Sequence, residues 1–350
     1  MSGPAALPAL RVPTGPVVAA AVLAAAAVTL SWRGTPALEA TYVVFVSLAG
    51  LALGSLALLM IGHLMNEDWL APVRSEAEAA ALTMPLLLLV GMPLAFGLDG
   101  IFPWADERAE LPPGRAAFLS PAFFLARSAA YILVGSTLAF WLAGTRKPRR
   151  ASAVGLALLT PIVTLSAYDW VLSRDPRWWS SLFGFAFGFG QVLAALAIAI
   201  LITLLRPEHP APKRMVSLER ALLTSALLVT WTWFAQFLIV WLANLPEEAA
   251  WYLDRAGPVS LVLLGIATAA MFLAIVILVP TGVNRGAMIV GSTLVLVQHG
   301  ANMLWILQPG PRLSWFDLGL ALCMAAIWII AFASLIRARP SYEEETTSDP

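Results

Sequence analysis

The side chains best suited to chemistry in this sequence are a few charges that lie inside long apolar runs. Asp169, followed by Trp170, lies near the end of one run, and Arg127 lies within another. A charge inside a membrane is costly unless it is paired or hydrated, so each is a candidate for function. Both are expected near the same surface on antiparallel neighbouring helices, which predicts an Arg127–Asp169 ion pair. In the alternative, Arg127 extends to the membrane surface alone.

A second group of polar residues is expected within two other helices. Gln298, Asn302 and Trp305 share one helical face, and His299 lies beside it. A neutral imidazole can accept and donate protons near pH 7, which would suit a proton path or a contact to a quinone. Gln236, in a different apolar run, is a further candidate for the same role. The alternative is a hydrogen-bonded patch that only holds helices together.

The polar segment 166–184 separates two apolar runs and carries a surface motif. Its candidate residues are Trp170, Asp175, Pro176 and Trp178. Indole rings favour the boundary between lipid and water, so we expect these Trp side chains at the membrane surface. The alternative is a helix-capping loop beside an aromatic belt.

Glu247 and Glu248 belong to the same predicted surface and follow a helix that ends at Pro246. Two adjacent carboxylates could capture protons or contact a partner protein. Solvated loop acids need no such role, and this alternative stays open.

These residues must be positioned by membrane helices, because 60% of the 350 residues are hydrophobic and only 12% are charged. A span needs about 20 apolar residues. About ten such runs are found, which predicts an all-α integral membrane protein. The runs are 16–32, 42–65, 79–98, 118–141, 151–172, 180–205, 217–243, 258–280, 286–307 and 316–337.

The chain outside this membrane domain (16–337) is short. Residues 1–15 are rich in Pro, and the acidic tail 338–350 is expected to be disordered. Within the domain, Tyr168–Leu172 and Met303–Leu307 each centre on Trp and close helices four apart. This faint repeat hints at two similar four-helix bundles.

The loops predict the orientation, because Lys and Arg accumulate on the cytoplasmic side of a membrane. Loop 145–150 holds four basic residues, whereas loop 244–257 holds Glu247, Glu248 and Asp254. We therefore expect both termini in the cytoplasm and loop 244–257 on the other side. The formal net charge of zero, with dispersed basic residues, argues against nucleic acid as a partner.

Cysteine and histidine usage limits the redox centres this chain could hold. Cys323 is the only cysteine, which excludes a disulfide, an iron–sulfur cluster and c-type haem attachment within the chain. His63 and His299 are expected at different depths and cannot share one haem iron. We therefore expect no metal site and no electron-transfer cofactor in this chain.

Several segments together resemble the F subunits of alternative complex III (ActF), within the NrfD-like family of membrane proteins. The matching segments are Asp169-Trp170 with 176–184, 233–248 (above all 236–241 and 244–248), 118–127 and 69–78. They extend over most of the predicted spans. Their order and spacing make a chance match improbable.

This resemblance implies a role in a bacterial quinol:electron-acceptor oxidoreductase of the inner membrane. It implies a fold of two four-helix bundles, 42–172 and 180–307, flanked by the first and last helices. It also implies a cofactor-free subunit that is a proposed proton conduit, with quinone or quinol binding to this chain left open. Haem c and iron–sulfur clusters would belong to partner subunits: a multihaem cytochrome c, an iron–sulfur protein and a second NrfD-like protein. The sequence departs from the family pattern at Asn302, where the family has Asp, and an amide cannot ionise.

Two other functions fit the same residues. A secondary transporter would have inverted repeats and discontinuous helices around a central site. A purely structural scaffold for a quinol-oxidising sister subunit would need no ionisable path.

Overall fold

The computed structural model describes residues 35–337 except 66–68, 107–110, 112, 146, 177, 206–211, 281, 283 and 309–314. Regular secondary structure within these residues is entirely helical, which confirms the predicted class. The first predicted span, 16–32, and the terminal segments 1–15 and 338–350 lie outside the described residues.

Thirteen α-helices follow one another along the described chain. They are α1 (Thr35–Met65), α2 (Arg74–Ala81), α3 (Leu86–Ala95), α4 (Leu98–Ile101), α5 (Pro113–Phe118), α6 (Pro121–Gly144), α7 (Pro148–Trp170), α8 (Phe183–Leu205), α9 (Pro212–Ala243), α10 (Pro246–Leu253), α11 (Pro258–Leu278), α12 (Arg285–Leu307) and α13 (Trp315–Arg337). Short 3₁₀ turns cover Ala71–Val73, Pro103–Ala105 and Leu172–Arg174.

Seven of these helices are long and apolar enough to cross a membrane, and the number is eight if a bent pair counts as one span. The chain is therefore a multi-pass α-helical membrane protein. Helix α13 contributes a shorter apolar stretch, Leu322–Arg337. The predicted total of ten spans stays a prediction.

The predicted span 79–98 is not one continuous helix. The chain forms a pair of helical segments, Ala71–Ala81 and Leu86–Ala95, with a bend of 42° between them. Pro85 cannot donate a backbone hydrogen bond and disfavours helical geometry in the residue before it, so the helix breaks there. Thr83 occupies the break, donating to the Ala80 carbonyl at 2.6 Å and accepting from Trp328 Nε1 at 2.9 Å.

Helix ends follow local signals in the sequence. Pro121, Pro148 and Pro258 each begin a helix, where the missing N–H costs nothing. Asn284 caps α12 by accepting from the backbone N–H of Ala287 at 2.9 Å. Asn244 ends α9 with a left-handed φ of 50°, a conformation that Asn tolerates better than most residues.

Helix α1 lies at the centre of the molecule, because 89% of its most apolar window is buried. It packs against α8, α7, α2, α3 and α13. Its approach to α8 depends on glycine: a Cβ at Gly54 would lie 2.4 Å from the backbone oxygen of Gln191. Helix α8 approaches α7 in the same way, since a Cβ at Gly184 would lie 2.7 Å from Thr164 Cγ2.

Helix α1 begins at Thr35, before the predicted start at 42, and its first turns include Glu39. The predicted division into bundles 42–172 and 180–307 stays a prediction. Helices α11 and α12 pack closely together and α12 also packs on α8, whereas α1 and α8 join the two predicted halves. Arg127, Asp169 and Gln236 thereby bond to residues in or beside the segment that joins α7 to α8.

Candidate functional site

The predicted pair between Arg127 and Asp169 is present. Arg127 Nε donates to Asp169 Oδ2 at 2.9 Å, and Nη2 donates to Oδ1 at 2.7 Å. The Asp169 side chain is 0% exposed and the Arg127 side chain 11% exposed. Two parallel bonds between a guanidinium and a carboxylate are the strong form of this interaction, so Arg127 does not extend to the surface alone.

Tyr131 is a third member of this network and was not predicted from the sequence. Its hydroxyl donates to Asp169 Oδ2 at 2.7 Å. Tyr131 lies four residues after Arg127 and therefore on the same face of α6, so the helical spacing contained the signal. The carboxylate thus accepts from both a cation and a phenol.

Arg127 is held from the other side by aromatic residues. Its Nη1 donates to the Phe118 carbonyl at 2.8 Å. The guanidinium carbon lies 3.8 Å from the centre of the Phe118 ring and 4.3 Å from that of Phe123. Cation–π contacts of this kind fix the guanidinium plane.

Asp169 occupies the last turn of α7, where backbone carbonyls lack partners within the helix. Ser173, in the following 3₁₀ turn, donates to the Asp169 carbonyl at 2.5 Å. Trp104 Nε1 donates to Ser173 Oγ at 3.1 Å. These hydrogen bonds hold the end of α7, and with it Asp169, in position.

Two further ion pairs lie beside the first, and the sequence analysis missed both. Arg174 Nη2 donates to Glu39 Oε1 at 2.8 Å, and its Nη1 donates to the Leu307 carbonyl at 2.6 Å. Arg255 Nη2 donates to Asp175 Oδ2 at 2.9 Å. Burial lowers the pKa of the Arg255 guanidinium, although Asp175 acts in the opposite direction.

Segment 169–175 therefore ties together helices that are far apart in the sequence. Its three charged side chains bond to α6, to α1 and to the turn after α10. We call this part of the molecule the Trp-rich end and define it by residues 169–183 and 244–257 with the side chains bonded to them.

Trp170 and Trp178 are packed inside the protein and are only 3% and 4% exposed. Trp170 Nε1 donates to Ser128 Oγ at 3.0 Å. Trp178 stacks on Trp251, with ring centres 4.5 Å apart and planes 14° from parallel. Protein acceptors thus satisfy both indole N–H groups, whereas Trp179 is 56% exposed. The predicted position of these residues at the membrane surface stays a prediction.

Gln236 is also brought to the Trp-rich end. It is buried, and its Oε1 accepts from Ser180 Oγ. The phenol of Tyr252 lies beside it, and burial raises the pKa of Tyr252. The phenol is therefore neutral and can donate a hydrogen bond at ordinary pH.

His299 and Asn302 lie apart from this network. Both are half-buried on α12, one to two turns before Trp305. Within the described residues, no hydrogen bond or ion pair connects either side chain to Arg127 or Asp169. The predicted path that includes them stays a prediction.

Two other residues of the predicted surface motif, Pro176 and Glu248, accept hydrogen bonds through their backbone carbonyls. The Pro176 carbonyl accepts from Arg115, and the Glu248 carbonyl accepts from Trp178 Nε1 at 3.0 Å. Glu247 is exposed in the first turn of α10, where a carboxylate interacts favourably with the helix dipole.

A cavity of about 520 Å³ opens beside the network. Its walls are mostly apolar and include Arg115, Phe118, Leu165, Tyr168, Trp178 and Trp179. Phe118 and Ser173 belong both to this wall and to the surroundings of the Arg127–Asp169 pair. The size falls within the range of small-molecule sites, which is about 300–1,000 Å³.

Among the described side chains, no group of three or more His, Cys, Asp or Glu residues is arranged to hold a metal ion. The expected location of haem and iron–sulfur clusters in partner subunits stays a prediction. No model of a known protein family matches this sequence, and no curated protein matches it.

Proposed function

We propose that this chain is an integral membrane subunit of a quinol:electron-acceptor oxidoreductase of the alternative complex III type. It lies in the bacterial inner membrane with both termini in the cytoplasm and supports quinol oxidation by its partner subunits. The observation that carries this proposal is the buried network of Arg127, Asp169 and Tyr131. Intramembrane ionisable groups of this kind commonly mark proton routes.

The chemistry needed from such a subunit is proton handling, because a quinol loses protons as it is oxidised. Arg127 holds the Asp169 carboxylate in place through two parallel hydrogen bonds. Tyr131 donates to the same carboxylate and can pass a proton along that hydrogen bond.

The proposed partners are a second NrfD-like protein, an iron–sulfur protein and a multihaem cytochrome c. The test is affinity purification of the tagged chain from its native membranes in mild detergent. We expect c-type haem absorbance and quinol oxidation in the purified complex. The same chain expressed and purified alone should lack both, and a redox-active spectrum from the isolated polypeptide would overturn the proposal.

The transporter alternative gains one observation, since the bent pair Ala71–Ala81 and Leu86–Ala95 is a discontinuous span. A transporter would work without haem-bearing partners, so purification as a single polypeptide from native membranes would favour it. The scaffold alternative predicts the same partners as our proposal. The activity of variants that assemble normally distinguishes the scaffold alternative from our proposal.

A further inference from the structure

Arg115 lines the 520 Å³ cavity. Its Nη1 donates to the Pro176 carbonyl, and its guanidinium carbon lies 4.5 Å from the centre of the Trp179 ring. No described carboxylate forms an ion pair with Arg115. A guanidinium carries five N–H donors, and its one hydrogen bond to a described acceptor leaves others that can bind an added anion.

The cavity beside Arg115 is lined mostly by apolar residues and opens to the surface of the molecule. Three residues of its wall are large, apolar and exposed at the mouth: Phe118 at 37%, Leu165 at 36% and Trp179 at 56%. These side chains belong to a multi-pass membrane protein, so a mouth of this composition suits a molecule that dissolves in the bilayer. A site with one cation above an apolar cleft fits an amphipathic molecule with an anionic head.

We infer that this cavity binds an anionic glycerophospholipid, with its phosphate at Arg115 and one acyl chain along the wall formed by Leu165 and Tyr168. The guanidinium fork matches the geometry of phosphate oxygens. Hydrogen bonds from a guanidinium to phosphate oxygens are charge-assisted and can be bidentate. The inference is independent of the proposed function, because it depends only on Arg115 and the cavity.

A lipid in this position would also support the Arg127–Asp169 pair. Phe118 lines the cavity with its side chain, and its ring lies 3.8 Å from the Arg127 guanidinium carbon. An acyl chain against this ring would hold it in place. Lipid binding should therefore raise the midpoint of thermal unfolding.

The test uses the full chain, purified and delipidated in a neutral detergent. Dioleoyl phosphatidylglycerol and dioleoyl phosphatidylcholine are titrated separately, and binding is followed by native mass spectrometry and by the unfolding midpoint. We expect one tightly bound phosphatidylglycerol and a raised midpoint, with a smaller effect of phosphatidylcholine. Inorganic phosphate should have no effect, since it lacks the acyl chain.

The Arg115→Gln variant should bind phosphatidylglycerol about tenfold or more weakly, because it loses a charge-assisted hydrogen bond. Arg150→Gln removes the same charge from an exposed position at the start of α7 and is the matched control. It should bind as the wild type does. If Arg115→Gln does not fold, Arg115→Lys keeps the charge, loses the planar fork and should still bind more weakly.

Filling the cavity gives a second, independent test. A Cβ at Gly114 meets no atom within 4 Å, so Gly114→Trp places its ring in the open space there and should prevent lipid binding. Gly144 is equally open and far from the cavity, so Gly144→Trp serves as the control. Equal binding of the two lipids, or unchanged binding by Arg115→Gln, would overturn the inference. So would displacement of the bound lipid by decylubiquinone, which would assign the cavity to quinone.

Discussion

One carboxylate, that of Asp169, accepts hydrogen bonds from Arg127 and Tyr131 while its side chain is 0% exposed. The sequence predicted the pair with Arg127 because both residues lie near the same ends of helices joined by a short turn. Arg174–Glu39 and Arg255–Asp175 could not be predicted in this way. Their partners lie more than a helix away in the chain, and only tertiary packing places them together.

At the residue scale, we expect the single substitutions Arg127→Leu and Asp169→Leu to impair assembly more than the double substitution does. Each single change leaves an uncompensated buried charge, at a cost of about 3–5 kcal/mol, whereas removing both can be nearly neutral. The yield of folded protein after size-exclusion chromatography measures the effect. Defects that simply add in the double variant would show that the two charges do not depend on each other.

The bounds of the helices with uniform apolar composition were predicted within a few residues. Helix α11, for example, runs from Pro258 to Leu278, and the predicted range was 258–280. The break after Ala81 falls within the predicted span 79–98, and Pro85 is its local signal in the sequence. Helix α1 begins before the apolar run 42–65, because the ion pair with Arg174 allows Glu39 to lie in the helix. Polar residues at helix ends are thus the least predictable from composition.

The close approach of α1 and α8 gives a prediction at the element scale. Gly54→Ala would place a Cβ 2.4 Å from the Gln191 backbone oxygen, so the helices must separate. We expect a loss of about 1–3 kcal/mol in stability and a clearly lower unfolding midpoint in detergent. Gly190→Ala in α8 is the control, since a Cβ there meets nothing within 4 Å, and its midpoint should stay near that of the wild type. Equal midpoints for the two variants would contradict this packing.

For the whole molecule, the sequence predicted the helical membrane class from composition alone, but not the central place of α1. Composition cannot distinguish a helix surrounded by protein from one surrounded by lipid, because both are apolar. The predicted orientation is open to direct measurement. With loop 145–150 in the cytoplasm and loop 244–257 outside, phosphatase fusions should be active only in the second loop. Activity in loop 145–150 instead would invert the orientation.

The proposed contribution of the Arg127–Asp169 pair to quinol oxidation is tested most directly by the turnover of the purified complex per c-type haem. The complex with Arg127→Leu and Asp169→Leu together should assemble yet oxidise quinol about a hundredfold or more slowly, because a positioned proton acceptor contributes that much. The matched control is the double variant Glu39→Leu and Arg174→Leu, which removes a neighbouring ion pair and should keep the wild-type rate per haem. A wild-type rate in the fully assembled Arg127→Leu/Asp169→Leu complex would contradict the proposed role and leave the pair as structure alone.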